Sequence, residues 1–343
     1  MPSSSSGELP ACLNPTSIPS LDSSALRSND SPSHGVPRKL ILGVCAMDKK
    51  TQSAPMVEIL DRLRAYGEFE VVVFGDKLIL DDSIPVSEWP LCDCIISFSS
   101  SGFPLDKAIQ YIRLRKPFCI NDLPSQHALL SRKNVYDILE KYRIPTPRHV
   151  YIIRNANHEI IAVGPGSQVP STLANHNLPG QHPRPMPPAM SPQPVIVEAD
   201  DYLEIDGVRL QKPIVEKPID AEDHNVHVYY GKSSGDGSRR LFRKIGNRSS
   251  RFYPKIDQIR KRGSYVYEEL LKNGKDLKVY TIGPRYAHGE TRKSPVVDGV
   301  VERNPDGKEV RAATKRNAEE KIVAAQVVVA FRQNICGFDL IRH

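Results

Sequence analysis

The sequence contains no CxxC pair among its six cysteines. Cys12, Cys45, Cys92, Cys94, Cys119 and Cys336 lie mostly in apolar runs, which argues against a zinc site. Buried free thiols in a reducing compartment are the simpler reading. No run of about twenty apolar residues occurs, so no transmembrane helix is expected. The stretch from Met1 to Pro37 lacks an apolar core of signal-peptide length, and a cytosolic (cytoplasmic) protein is expected. There is no GxxxxGK(S/T) loop and no HRD or DFG motif, which argues against the P-loop and protein-kinase classes. The glycines carry no phosphate-loop signal; Gly235-Asp236-Gly237 reads as an ordinary hairpin turn.

What is present is positive charge and proline. The 343 residues carry a net charge of +7, 39% apolar residues and 29 prolines. That length permits two or three lobes. The composition fits a globular enzyme diluted by disordered segments, and the charge favours anionic partners.

Residues 1–37 are of low complexity and read as a disordered tail. Lys39-Leu-Ile-Leu-Gly-Val44, Phe69-Glu-Val-Val-Val-Phe74, Cys94-Ile-Ile-Ser97 and Pro117-Phe-Cys-Ile120 read as buried strands. Between them, Met56, Ile59, Leu60 and Leu63 recur at helical spacing up to Gly67, as do Leu105, Ala108, Ile109 and Ile112. This rhythm predicts a small parallel α/β lobe over 38–125. A helical pair is expected around 123–142, with Val135, Ile138 and Leu139 on one side. Nine prolines from Pro165 to Pro194 predict a disordered surface insertion over 164–194. Asp206-Gly207 between Tyr202–Ile205 and Val208–Leu210 is a hairpin signal. Beyond it the pattern is antiparallel, with strands at 213–217, 225–230, 240–244, 265–270, 276–282 and 285–290. A helix at 316–332 carrying Ile322, Ala325, Val329 and Phe331 follows, then a last strand at Cys336–Ile341. The expected fold class is thus α/β and α+β, a parallel lobe followed by antiparallel sheets.

The basic residues are the informative part. Arg239, Arg240, Arg243, Lys244, Arg248 and Arg251 surround Leu241-Phe242. Lys49 and Lys50 follow the first strand, and Arg292, Lys293, Arg303 and Arg311 come later. Any one of these is most simply a solvated surface charge. Lys217 and Lys278 differ, because they sit inside apolar strand-like runs where an unpaired cation is unfavourable. A bound polyanion would explain them; so would buried ion pairs with Glu216, Glu268 or Glu269. Basic residues interleaved with Phe242, Phe252 and Tyr253 over 239–262 could also serve single-stranded nucleic acid. No zinc-finger, RNP or helix-turn-helix signature supports that, and nucleic acid is not expected.

A set of ordered motifs narrows the choice. Leu91-Cys-Asp-Cys-Ile-Ile-Ser97, Gly102-Phe-Pro-Leu-Asp-Lys107 and Ile120-Asn-Asp122 resemble the N-terminal lobe of the diphosphoinositol pentakisphosphate kinase family. Val215-Glu-Lys-Pro218, Leu241-Phe-Arg-Lys-Ile245, Tyr267-Glu-Glu269, Asp276-Leu-Lys-Val-Tyr280, Arg292-Lys-Ser-Pro295 and Cys336-Gly-Phe-Asp339 extend the resemblance over roughly 38–343. The resemblance implies an ATP-grasp kinase domain over 126–343, with ATP and Mg²⁺ as co-substrate and cofactor. It also implies inositol hexakisphosphate and diphosphoinositol pentakisphosphate as substrates. It implies that Lys217, His224 and Arg132 lie at the ATP phosphates, and Glu268 with Glu269 at the adenine hinge. Asp276 would hold the ribose and Lys278 would bridge the transferred phosphate and the substrate. Lys49, Lys50, Arg243, Lys244 and Arg311 would grip the inositol phosphates, and Asp339 would ligate Mg²⁺. Lys278, Arg311 and His224 are the implied catalytic set. Such a cage suits a compact polyanion, since arginine grips phosphate oxygens in pairs.

The family also implies an Asp-x-Asn segment after Gly337–Arg342 that completes the metal site, and a phosphatase-like domain. The sequence in hand ends at His343, so weak or absent turnover is expected of it. Three other readings stand beside the kinase: a phosphoinositol-binding module without turnover, another ATP-grasp ligase, and a nucleic-acid binder.

Overall fold

The computed structural model describes residues 38–165, 194–271 and 274–342. The expected tail and most of the proline-rich insertion lie outside these residues.

The chain first builds a parallel layer. It comprises β1 (Leu40–Cys45), α1 (Asp48–Thr51), α2 (Ala54–Tyr66), β2 (Phe69–Val73), α3 (Asp76–Ile79), β3 (Cys94–Ser97), α4 (Leu105–Arg115) and β4 (Phe118–Cys119). The sheet order is β2-β1-β3-β4. β1 is central, and Leu42, Val44 and Cys45 are buried, as strands covered on both faces require. Phe74 meets Trp89 and Tyr111 edge-on at centroid separations of 5.7 and 5.4 Å, a geometry favoured by ring quadrupoles. α2 stops at Gly67, whose φ of +88° is the left-handed cap that glycine adopts without strain. The described cysteines are free thiols, and burial pushes the Cys45 thiol up to about 12.

The expected helical pair is a 3-10 segment, Pro124–Leu130, followed by α5 (Arg132–Lys141). Ser131, in the β region between the two, ends the first segment and caps α5, its hydroxyl accepting from Asn134 N–H. Then come β5 (His149–Arg154), β6 (Ile160–Pro165), β7 (Ile196–Glu198), β8 (Tyr202–Ile205), β9 (Val208–Gln211), β10 (Ile214–Pro218), β11 (Val226–Tyr229), β12 (Ser238–Ile245), β13 (Arg248–Tyr253) and β14 (Tyr265–Glu269). Seven form an antiparallel sheet ordered β13-β12-β11-β10-β14-β5-β6, and β7-β8-β9 form a small second one. The Asp206-Gly207 turn joins β8 to β9 with φ of +45° and +79°, the double left-handed turn that matches strand twist. Leu203, Ile205 and Leu210 of the small sheet pack with Val150, Ile152, Ile214, Tyr229 and Tyr267 of the large one. One expectation is corrected at its edge. Gly164 and Pro165 are not insertion but the end of β6, paired with Tyr151 and Val150. Proline is tolerated there because β6 is an edge strand.

The last layer is β15 (Lys275–Ile282), β16 (Tyr286–Arg292), β17 (Ala312–Ala313), α6 (Ala318–Phe331) and β18 (Ile335–Arg342), with sheet order β17-β16-β15-β18. Leu277, Val279, Phe338 and Leu340 face Ala324 of α6. The alternate residues Asp276, Lys278 and Tyr280 therefore share the opposite face with their register partners Arg292, Glu290, His288 and Asp339. The expected apolar stripe of α6 needs correction. Ala324, Val327, Val328 and Phe331 are buried, whereas Ile322 and Val329 are 58% and 57% exposed. The helix is apolar nearly all round, so periodicity alone does not choose its buried face. The fold class, a parallel layer followed by antiparallel sheets, is as expected.

Candidate functional site

Three groups of candidate residues come together, each on regular structure. The first lies on β10 and β14. Lys217 is in register with Val266, and Glu268 with Val215. The Lys217 ammonium contacts the Glu268 carboxylate, which also accepts a hydrogen bond from the Tyr136 hydroxyl. Lys217 Nζ donates to the Tyr136 phenolic oxygen, Oη, at 3.4 Å. Burial by itself lowers the Lys217 pKa, but Glu268 and Tyr136 outweigh it and the net shift is upward. Burial followed by the Glu268 charge raises that of Tyr136. Of the explanations open for a lysine inside this strand, the ion pair with Glu268 is the one the structure shows. Arg132 is at the start of α5, and its guanidinium donates to the carbonyls of Pro218 at 2.7 Å, Asp220, and Ala221 at 3.2 Å. It braces the turn leaving β10, and burial lowers its pKa. His224, on the same connection, is exposed. Partial burial and the nearby Arg243 and Arg132 hold its imidazole below the ordinary value.

The second group is the open face of the last sheet. Lys278 stands between Glu290 and Asp339 in one cross-strand row. Its ammonium lies 3.2 Å from Asp339 Oδ1, and Arg292 approaches the same oxygen at 3.6 Å. Burial raises the Asp276 pKa, partly opposed by Arg292.

The third group joins this face to β12. Arg311 reaches the Tyr280 hydroxyl at 3.1 Å and Glu290 at 3.3 Å. It also holds Glu309 at 3.2 Å, and Lys244 contacts the other oxygen of that carboxylate. Burial would raise the Glu309 pKa, but the two cations keep it below the ordinary carboxylate value. Arg243 pairs with Glu222 at 3.3 Å. Glu269 lies 3.9 Å from Arg148. Lys49 and Lys50 belong to α1, where Lys49 Nζ donates to the Ser101 carbonyl at 2.9 Å. No contact among the described residues ties either to the other candidates.

Tyr136 and Glu309 were not among the expected residues. Tyr136 had a signal, since it lies one helical turn from Arg132 on the same face. Glu309 had none, because its link to Lys244 depends on how the 294–311 segment crosses β12 and β13. Among the described residues no three His, Cys, Asp or Glu side chains converge to hold a metal ion. Both cations on Asp339 share Oδ1. Asp339 therefore fits Mg²⁺ only as one ligand beside nucleotide phosphate oxygens, the arrangement usual for this ion.

Residues 40–131 match the family model described as the diphosphoinositol pentakisphosphate kinase 2 N-terminal domain. The chain is 48% identical over 337 residues to an inositol hexakisphosphate and diphosphoinositol-pentakisphosphate kinase of Saccharomyces cerevisiae, covering 96% of this chain and 28% of that one. It is 47% identical over 306 residues to inositol hexakisphosphate and diphosphoinositol-pentakisphosphate kinase 2 of Homo sapiens, covering 89% and 22%. A RimK domain ATP-grasp protein of Sphaerobacter thermophilus has a TM-score of 0.48 at 9% identity, over 88% of this chain and 86% of that one. The chain spans about a quarter of the length of the curated relatives it matches. Over nine-tenths of its own length, it is a relative of the inositol hexakisphosphate and diphosphoinositol-pentakisphosphate kinases, with the family's N-terminal domain at residues 40–131.

Proposed function

We propose that this chain transfers phosphate from ATP to inositol hexakisphosphate and diphosphoinositol pentakisphosphate. On this reading a leading lobe at 38–125 precedes an ATP-grasp clasp at 126–343. The observation that supports it best is the row Asp339–Lys278–Glu290, with Arg311 on Glu290 and Lys244 sharing Glu309 with Arg311. Cations from two sheets are gathered there on single carboxylates, which a ligand bearing many phosphates would displace. The names of the relatives support the same substrates.

Phosphoryl transfer asks for positioning and charge stabilisation. An ionised phosphate oxygen of the inositol attacks the γ-phosphorus, the bond to the ADP oxygen breaks, and ADP leaves with the electron pair. The acceptor is already ionised, so no general base is required. Lys217 would hold the nucleotide phosphates and Asp276 the ribose. Lys278 would lie against the transferred group, with Arg243, Lys244 and Arg311 on the inositol phosphates. Mg²⁺, entering with the nucleotide beside Asp339, would supply charge neutralisation at the phosphates.

A second reading, a binding module without turnover, is favoured by the hold of Lys278 and Arg292 on Asp339. Phosphorus NMR of the chain with ATP, Mg²⁺ and inositol hexakisphosphate tests both. A new pyrophosphate resonance with ADP supports the kinase. Calorimetric binding without product supports the module. Failure to bind inositol hexakisphosphate overturns both.

A further inference from the structure

Behind Lys217 stands a column of side chains from α5 and β5. Arg132, Tyr136 and Glu140 recur at every fourth position of α5 and share one face of that helix. Between them they reach three strands of the large sheet. Arg132 braces the exit of β10. The Tyr136 hydroxyl donates to Glu268 of β14 and accepts from Lys217 of β10. Glu140 lies 3.2 Å from His149 Nε2 on β5.

His149 is the direct cross-strand partner of Glu268, so the two side chains lie on the same sheet face. The His149 ring packs on Tyr136 at a centroid separation of 4.1 Å, and its Nδ1 is 3.0 Å from the Pro147 carbonyl. His149 is 4% exposed. Held at both nitrogens, it fixes the direction in which the phenol points.

The phenol ends on an ion pair that is open on one side only. Lys217 keeps 28% of its side chain exposed, against 5% for Glu268. A ligand can approach the ammonium but not the carboxylate. An ammonium has three N–H donors. One meets Glu268 and one meets Tyr136, which leaves the third for the open side. Tyr136 also occupies Glu268 Oε2, while Lys217 meets Oε1, so the carboxylate cannot turn and carry the lysine with it. Without the phenol, the flexible stem of Lys217 would swing about a single contact.

We propose that Tyr136, aimed by His149, is a positioning residue that presents the Lys217 ammonium to the nucleotide phosphates. The inference rests on the reading above for the role of Lys217.

Calorimetry of the full chain with ADP, and separately with adenosine, tests it. Tyr136→Phe keeps the ring on His149 and removes one oxygen. ADP should bind about tenfold more weakly, the scale of one lost hydrogen bond to a charged group, while adenosine binds as before. In turnover, KM for ATP should rise and KM for inositol hexakisphosphate should not. Equal losses for ADP and adenosine would mean that Tyr136 only supports the sheet, and they overturn the proposal. ADP affinity equal to that of the unaltered chain overturns it too, as does an unaltered chain that does not bind ADP. A second arm uses Lys217→Met as background. There Tyr136→Phe should cause no further loss of ADP affinity, because it acts through the lysine; additive losses overturn the proposal. The kinase reading fails separately. A chain that binds ADP but forms no pyrophosphate is not the kinase, and both binding arms still decide the role of Tyr136.

Discussion

Lys217 and Glu268 form a diagonal pair across adjacent antiparallel strands, two positions out of direct register. Both are fixed by the strands that carry them, and Glu268 is 4% exposed. Replacing Lys217 by Met leaves that carboxylate buried without its cation. The expected loss is about 3–5 kcal/mol, the usual cost of breaking such a pair from one side. Urea unfolding at pH 7 measures it; an unchanged midpoint would show that the pair contributes nothing to folding.

Glu309 holds both Lys244 and Arg311, and on the proposed reading it would compete with the inositol phosphates for them. Glu309→Gln should therefore tighten inositol hexakisphosphate binding, by up to roughly thirtyfold if each of the two partly exposed pairs is worth at most about 1 kcal/mol. Weaker binding in the calorimeter would mean that Glu309 positions the two cations rather than restraining them.

His227 is buried on β11. Burial, then Arg260 and Arg240, lower its pKa to about 4. The unfolded chain takes up this proton near the ordinary value of about 6.5, while the folded chain resists until about 4. Stability from this group is thus complete above pH 6.5 and lost as pH falls towards 4, by about 2 kcal/mol between pH 7 and 5. His227→Phe should flatten that part of the profile. Parallel slopes for the two proteins from pH 7 to 5 would refute the assignment.

Glu216 is fully buried. It accepts from Arg260 Nε at 2.6 Å, Arg260 N at 3.0 Å and the Tyr229 hydroxyl at 3.0 Å. Arg260→Leu should cost about 3–5 kcal/mol, whereas Tyr229→Phe should cost about 1 kcal/mol. Equal effects in chemical denaturation would contradict this ranking.

The elements that were legible carried a strong local signal. β1 is a pure apolar run, α2 ends on a glycine cap, and the β8–β9 turn is Asp-Gly. β5 and β13 were not anticipated. His149-Val-Tyr-Ile-Ile-Arg154 follows Pro145 and Pro147, and Arg248-Ser-Ser-Arg-Phe-Tyr253 is polar enough to pass for a loop. Each becomes a strand by pairing with a partner distant in sequence, β14 for the first and β12 for the second. Within the candidate site, the motifs pointed to lysines and arginines. They could not show which carboxylates those cations would hold, because Lys217–Glu268 and Lys244–Glu309 are set by packing between elements.

The loop after β4 and the turn after α6 are stitched together. Asn121 exchanges two hydrogen bonds with Ile335, at 2.8 and 2.9 Å across 214 residues. Asn334 and Gln333 donate to the Ile120 and Asp122 carbonyls at 2.8 Å each. During synthesis the parallel layer leaves the ribosome long before these partners exist. At 5–20 residues per second the wait is roughly 10–40 s. Through that interval the Asn121 edge must be kept by water or a chaperone, and a ribosome stalled before Ile335 would display it unpaired.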